Sequence, residues 1–238
     1  MSVTPYSAEG SKREQVERMF DAISPKYDLL NRLLSLGIDQ GWRRKVIRLV
    51  GQEPVGQLLD VATGTADLAI MAAPKATRIT GIDISEGMLA HGRVKVAKAG
   101  LDKKITLTQA DSTALPFPDN TFDAVTVAFG VRNFEDLEKG LQEMVRVLKP
   151  GGRLFILEFS KPQHTPMRQL FRFYFHHVMP SIGRAISKDS AAYTYLPKSV
   201  DAFPEGKEFL GALARAGGRD GAARSLTGGV ATLYTARK

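Results

Sequence analysis

Asp60 and Asp67 flank a turn of small residues, Ala62-Thr63-Gly64-Thr65-Ala66, that interrupts an apolar run and precedes a helical pattern. Asp83 closes the next apolar segment, about twenty residues beyond the turn. In a strand-turn-helix unit, small residues let backbone N–H groups approach a ligand, and an acid at that distance accepts hydrogen bonds from ribose hydroxyls. Together these features imply an adenosine-type ligand. Within the turn only Gly64 is glycine, so the G-x-G-x-x-G fingerprint for a pyrophosphate is not met. A cofactor without phosphates, whose amino-acid end bears an ammonium and a carboxylate, suits Asp60 instead, directly or through water. The competing structural reading is that Asp60 and Asp67 only cap the turn and the helix.

A second constellation is AFGVRNFED, Ala128 to Asp136, which follows a nearly continuous apolar run. Arg132 and Asn133 are polar residues at the exit of a buried strand, the edge of a parallel sheet where ligands bind. The plain alternative pairs Arg132 with Glu135 or Asp136 and lets Asn133 start the next helix. Of the four histidines, His91 falls inside a helical pattern, and His176 and His177 fall in an aromatic and basic segment. His164 follows a strand exit and could approach a substrate. None has metal-ligand spacing with another histidine or an acid, so no metal is expected.

The elements that must position these residues alternate. QLLDVAT, RITGIDIS, ITLTQAD, FDAVTVAFG and RLFILEFS read as strands, the last two apolar enough to be buried on both faces. Between them ADLAIMAAPK, EGMLAHGRVKVAKAG and DLEKGLQEMVRVLKPGG read as helices, the last closed by Lys149, Pro150, Gly151 and Gly152. Such alternation argues for an α/β fold with a parallel sheet and right-handed crossovers. Residues 11 to 50 carry apolar positions at helical spacing, broken at Pro25 and Gly37, and predict two or three helices ahead of the main domain. After residue 160, YTYLPKSVDAFPEG reads as a loop, KEFLGALARAGG as a helix, and ARSLTGGVATLYTARK as a hairpin turning on Gly228 and Gly229.

The chain has 238 residues, 43% of them apolar, enough for one sizeable α/β domain. Cysteine is absent, which excludes disulfides, thiolate metal sites and a thiol nucleophile, and fits a reducing compartment. No apolar stretch is long enough to span a bilayer, and the start lacks a signal-peptide core. A net charge of +8 admits polyanionic partners, but positive and negative residues alternate without a basic run, so nucleic acid is not expected.

LLDVATGTAD, GIDISEGMLA, QADSTALPFPDNTFDAV and VLKPGGRLFILEFSKP resemble the ordered motifs of class I S-adenosylmethionine-dependent methyltransferases. More narrowly, FDAISPKYDLLNRLLSLGIDQGWR, AFGVRNFED, LEFSKP and YTYLPKSVDAFP resemble the family that C-methylates the ring in ubiquinone and menaquinone biosynthesis. The resemblance implies a Rossmann-like, seven-stranded, mostly parallel sheet with an antiparallel last strand and helices on both faces. It implies a helical lid over residues 1–50 and a methyltransferase domain over 51–238, with a substrate- and membrane-facing insertion at 161–200. By position, Gly64, Thr65, Asp83, Asp111 and Ser112 would contact S-adenosyl-L-methionine, Asp111 and Ser112 beside the adenine. At Ala128 many members have serine, so any contact there would be through the backbone.

Methyl transfer to carbon requires an electron-rich ring held near the methyl group with water excluded. A quinol ring becomes a stronger nucleophile as its phenol ionises, so the site needs a base or an oxyanion stabiliser. Arginine stays protonated, which assigns Arg132 to orienting or stabilising a developing phenolate and Asn133 to the second ring oxygen, with Asp111 as an alternative base. The expected partner is a prenylated quinol, demethylmenaquinol ahead of the benzoquinol of ubiquinone biosynthesis. Phe171, Phe175, Val178 and Ile182, with Arg168, Arg172 and Arg184, could meet a membrane surface or form an ordinary lid helix. Tyr27 and Trp42 would close the other side of the pocket. A cytoplasmic protein, peripheral at the inner face of the membrane and compatible with a homodimer, is expected. The rivals are an RNA methyltransferase and a non-catalytic cofactor-binding protein. Base methylation through a covalent cysteine is excluded by composition, and the N/D-P-P-Y/F motif of amino-methylating enzymes is replaced by FGVRN.

Overall fold

A computed structural model of the chain describes residues 3–6, 10–178 and 191–238. Three helices lead: α1 (Lys12–Ile23), α2 (Tyr27–Leu34) and α3 (Ile38–Val50). Ser11 and Glu14 cap α1 reciprocally, each side chain accepting the other's backbone N–H. Pro25 starts the break between α1 and α2, and Gly37, at φ 74°, turns the chain into α3.

There follow β1 (Val55–Val61), α4 (Asp67–Ala72), β2 (Ala76–Asp83), α5 (Glu86–Lys98), β3 (Ile105–Gln109), β4 (Phe122–Ala128), α6 (Leu137–Val147) and β5 (Leu148–Phe159). The chain ends through α7 (Met167–Phe173), α8 (Ala191–Ala202), α9 (Lys207–Arg215), β6 (Arg219–Leu226) and β7 (Ala231–Arg237). The seven strands form one sheet in the order β3-β2-β1-β4-β5-β7-β6. Only β7 runs antiparallel to its neighbours, as the expected closing hairpin requires.

The strands of the sheet's centre are buried on both faces. Along β5, Phe155 and Leu157 join one core with α3, α4 and α5, while Leu154 and Ile156 join the other with α6 and α9. Each such side chain stabilises the fold by about 1.5–3 kcal/mol. Trp42, Val46, Ile47 and Val50 of α3 belong to the first of these cores, so α3 is a sheet-packing helix and only α1 and α2 overlie the cleft. A third core joins α1 and α2 to α7 and α8 through Val16, Met19, Phe171, Phe175 and Tyr195.

Three expectations need correction. The segment 193–206, read as a loop from its proline and polar residues, is helix α8 as far as Ala202, with Pro197 inside it. Burial of Ala192, Tyr195 and Val200 outweighs the roughly 3 kcal/mol that an internal proline costs. Helix α6 ends at Val147, ahead of the Lys149-Pro150-Gly151-Gly152 stop, because β5 already starts at Leu148 and pairs there with Phe122. The membrane face assigned to Phe171 and Phe175 points inward, both being buried, and the outward residues are Leu170 and Phe173 at 61% and 59% exposure. Ile182 and Arg184 lie outside the described residues, as does the side chain of His176. Among the described residues no helix is long and apolar enough to cross a membrane.

Candidate active site

The carboxyl ends of β1, β2 and β4 lie side by side, where strand order reverses around β1. Their exit turns nearly touch. A side chain on Gly130 would bring its Cβ to 2.5 Å from that of Ala62, which explains the small residues at both points. Ala62, Ala66 and Phe129 adopt left-handed backbone at φ 50°, 66° and 62°, strain of the kind that clusters at binding sites.

Asp83 is buried at the end of β2. Its Oδ2 accepts the Gly64 N–H at 2.8 Å and its Oδ1 the Ser85 N–H at 3.0 Å. Burial raises its pKa to about 6 in spite of these bonds and with the help of nearby Asp60. The carboxylate lines a cleft with Gly64, Asp111, Ser112 and Ala128. Asp60 sits deeper, its two oxygens accepting the hydroxyls of Thr63 and Thr126 at 2.6 Å each, and burial raises its pKa as well. It braces the turn and, with Arg43 of α3, lines a recess below Gly64. Asp67 does not cap α4; it pairs with Lys95.

The first two helices reach across this cleft. Asp28 of α2 accepts the Thr65 hydroxyl at 2.6 Å and the Lys95 ammonium at 2.8 Å. Asp21 of α1 accepts from the Ser85 hydroxyl and the Gly87 N–H, and Arg13 pairs with Asp111 at 3.1 Å. The other oxygen of Asp111 accepts the N–H and hydroxyl of Thr113, so Asp111 is engaged on both sides.

Beside the cleft lies a larger cavity of about 380 Å³ whose walls include Trp42, Phe129, Phe159 and Phe171. Phe20, Tyr27, Phe129 and Asn133 line both spaces, so they meet at that wall. In its wall the Arg132 side chain is only 9% exposed. Its Nη1 donates to Glu158 Oε1 at 2.7 Å and to the Phe129 carbonyl at 2.6 Å. The partner is therefore Glu158, not Glu135 or Asp136, and burial raises its pKa even though Arg132 opposes the shift. Among the described residues three buried side-chain atoms have no hydrogen-bond partner: Arg132 Nε, Asn133 Oδ1 and Tyr195 Oη. All three residues line the large cavity.

The histidines stand apart, since His91, His164 and His177 are exposed and line neither space. Glu158, Tyr195, Arg43 and the latching residues Arg13, Asp21 and Asp28 escaped the sequence reading. For Glu158 a signal existed: one acid inside the apolar run RLFILEFS must find a cation.

The model of the ubiE/COQ5 methyltransferase family matches residues 8–238. The chain belongs to this family. It is 52% identical over 238 residues to the demethylmenaquinone methyltransferase of Bacteroides fragilis, covering 99% of this chain and 97% of that protein. It is 49% identical over 230 residues to the ubiquinone/menaquinone biosynthesis C-methyltransferase UbiE of Geobacter sulfurreducens, covering 95% of this chain and 90% of that one. Among solved structures, a possible histamine N-methyltransferase of Thermotoga maritima shares the fold with a TM-score of 0.64 at 18% identity, over 93% of this chain and 99% of that one. As a member of the ubiE/COQ5 methyltransferase family the chain uses S-adenosylmethionine, and the groups lining its cleft are of the chemistry that molecule calls for. Asp83, Ile84, Ala110 and Asp111 line this cleft together, and Asp60 and Arg43 line the recess beside Gly64.

Proposed function

We propose that the chain methylates a ring carbon of a prenylated quinol, in particular the reduced form of demethylmenaquinone, the compound in the name of the Bacteroides fragilis relative. The observation that supports this best is the large apolar cavity beside the cofactor cleft, with unmet polar atoms on residues of its wall. When bound, S-adenosylmethionine supplies an electrophilic methyl group. Gly64, Thr65, Asp83, Asp111, Ser112 and the Ala128 backbone orient it, and Asp60 and Arg43 face its amino-acid end. Across the shared wall, Asn133 holds one ring hydroxyl and Arg132 directs its free Nε–H toward ring oxygen. The guanidinium cannot accept a proton, so it stabilises developing phenolate charge in a site the surrounding aromatics keep dry.

The prenyl tail leaves past Leu36, Ile38 and Leu170, which line the outer part of the cavity. Leu36 is 75% exposed, with Leu29, Leu33 and Phe173 also exposed nearby in sequence. Exposed Arg32, Arg168 and Arg172 accompany them, and we assign this rim to transient contact with an anionic bilayer.

The test is incubation with methyl-labelled S-adenosylmethionine and, in parallel, demethylmenaquinol, the demethylated benzoquinol and RNA. Label should enter the naphthoquinol fraction; label in RNA would overturn the proposal.

A further inference from the structure

A buried hydroxyl without a partner is costly, and phenylalanine would fill the same space without that cost. Tyr195 is 3% exposed, yet its hydroxyl has no hydrogen-bond partner among the described residues. Helix α8, which carries it, packs against the Val131–Asn133 turn, and Tyr195 lines the same cavity as Arg132 and Asn133. The charges of both Arg132 and Glu158 are felt at its ring. Glu158 fixes Nη1 of Arg132, so the guanidinium cannot swing to satisfy the phenol without breaking a bond at 2.7 Å.

We infer that Tyr195 is a further substrate-binding residue, its hydroxyl donating to a ring oxygen of the quinol. The inference rests on the quinol reading above and adds to it a residue from a different helix. Burial pushes the Tyr195 phenol up to about 12, so it holds its proton at neutral pH and acts as a donor rather than a base. The three unmet atoms divide the work by chemistry. Asn133 Oδ1 can only accept, which suits a ring hydroxyl of the reduced substrate, while Tyr195 and Arg132 Nε supply donors. A quinone has no hydroxyl for Asn133, so this set of atoms also favours the reduced ring.

The chain contains a single tryptophan, Trp42, and it lines this cavity. Its emission therefore reports ring binding without methyl transfer. Short-tailed demethylmenaquinol, kept reduced, is titrated into the full-length protein and into Tyr195→Phe, with cofactor affinity measured by calorimetry and the unfolding midpoint by thermal denaturation. Loss of one hydrogen bond should weaken quinol binding about three- to tenfold. Cofactor affinity should stay within a factor of about two, and the midpoint should not fall, because the hydroxyl has no partner among the described residues. Unchanged quinol affinity would overturn the inference. So would a lowered midpoint with both affinities reduced together, which would mark a packing role. If the unsubstituted protein binds neither demethylmenaquinol nor the benzoquinol, the quinol reading itself falls and takes this inference with it.

Discussion

The Asp83 carboxyl has a pKa of about 6, raised chiefly by burial, against an ordinary value of 3.8. Below about pH 4 the proton is bound in both folded and unfolded chains and costs nothing. Between about pH 4 and 6 the unfolded chain gives up this proton while the folded chain keeps it, so about 3 kcal/mol of stability from this group is lost as pH rises to and through 6. Cofactor binding has the opposite dependence, because the ionised carboxylate is the better acceptor for ribose. Affinity for S-adenosylmethionine should therefore fall as pH drops from 7 to 5, and Asp83→Asn should flatten that dependence while weakening binding by about 1–3 kcal/mol. Calorimetry across that range checks both. The acid was legible because the spacing from Gly64 is a chain-local property. Tyr195 was not, and for Glu158 the sequence showed only that a cation was needed and not which, since Arg132 is remote in sequence and comes close only after β5 and α8 have packed.

Helices α1 and α2 lie over the cofactor cleft and are tied to it by polar contacts. The space left beneath them is about 60 Å³, and the polar contacts that tie them down are the ones a cofactor entering or leaving would be expected to loosen. Asp28 forms the latch nearest Gly64, through Thr65 and Lys95. With side chains 26% and 31% exposed and screened by solvent, this latch contributes about 1 kcal/mol. Asp28→Ala should speed cofactor exchange several-fold, read by stopped-flow displacement, with little change in thermal midpoint. An unchanged exchange rate would mean that the helices open as one body through their apolar contacts. The helices of 11–50 and their breaks at Pro25 and Gly37 were readable from the sequence, but what each helix packs against was not. Trp42 and Val46 make α3 a core helix because they meet β1 and β5, and a helical period does not name its partner. Helix α8 was hidden by Pro197 and its polar neighbours, whose propensities lost to tertiary burial.

At the level of the whole molecule, three of the exposed apolar residues, Leu36, Ile38 and Leu170, line the large cavity. Leu36, Leu170 and Phe173 are 75%, 61% and 59% exposed in a protein whose other large apolar side chains are mostly buried. With a net charge of +8, the protein should sediment with vesicles containing anionic lipid and stay in solution with neutral ones, and salt should release it. Leu36→Glu combined with Leu170→Glu should abolish sedimentation while leaving cofactor affinity intact. Retained binding by that variant would move the contact elsewhere.

Tyr27 borders both the cavity and the cleft, as do Phe20, Phe129 and Asn133. Donor and acceptor thus share a partition made of side chains rather than separate walls. Whatever settles that partition on one side alters the affinity on the other by an equal factor in both directions. Enlarging the room for a bulkier ring will consequently loosen the hold on the donor, and the range of acceptors cannot be tuned independently of donor affinity.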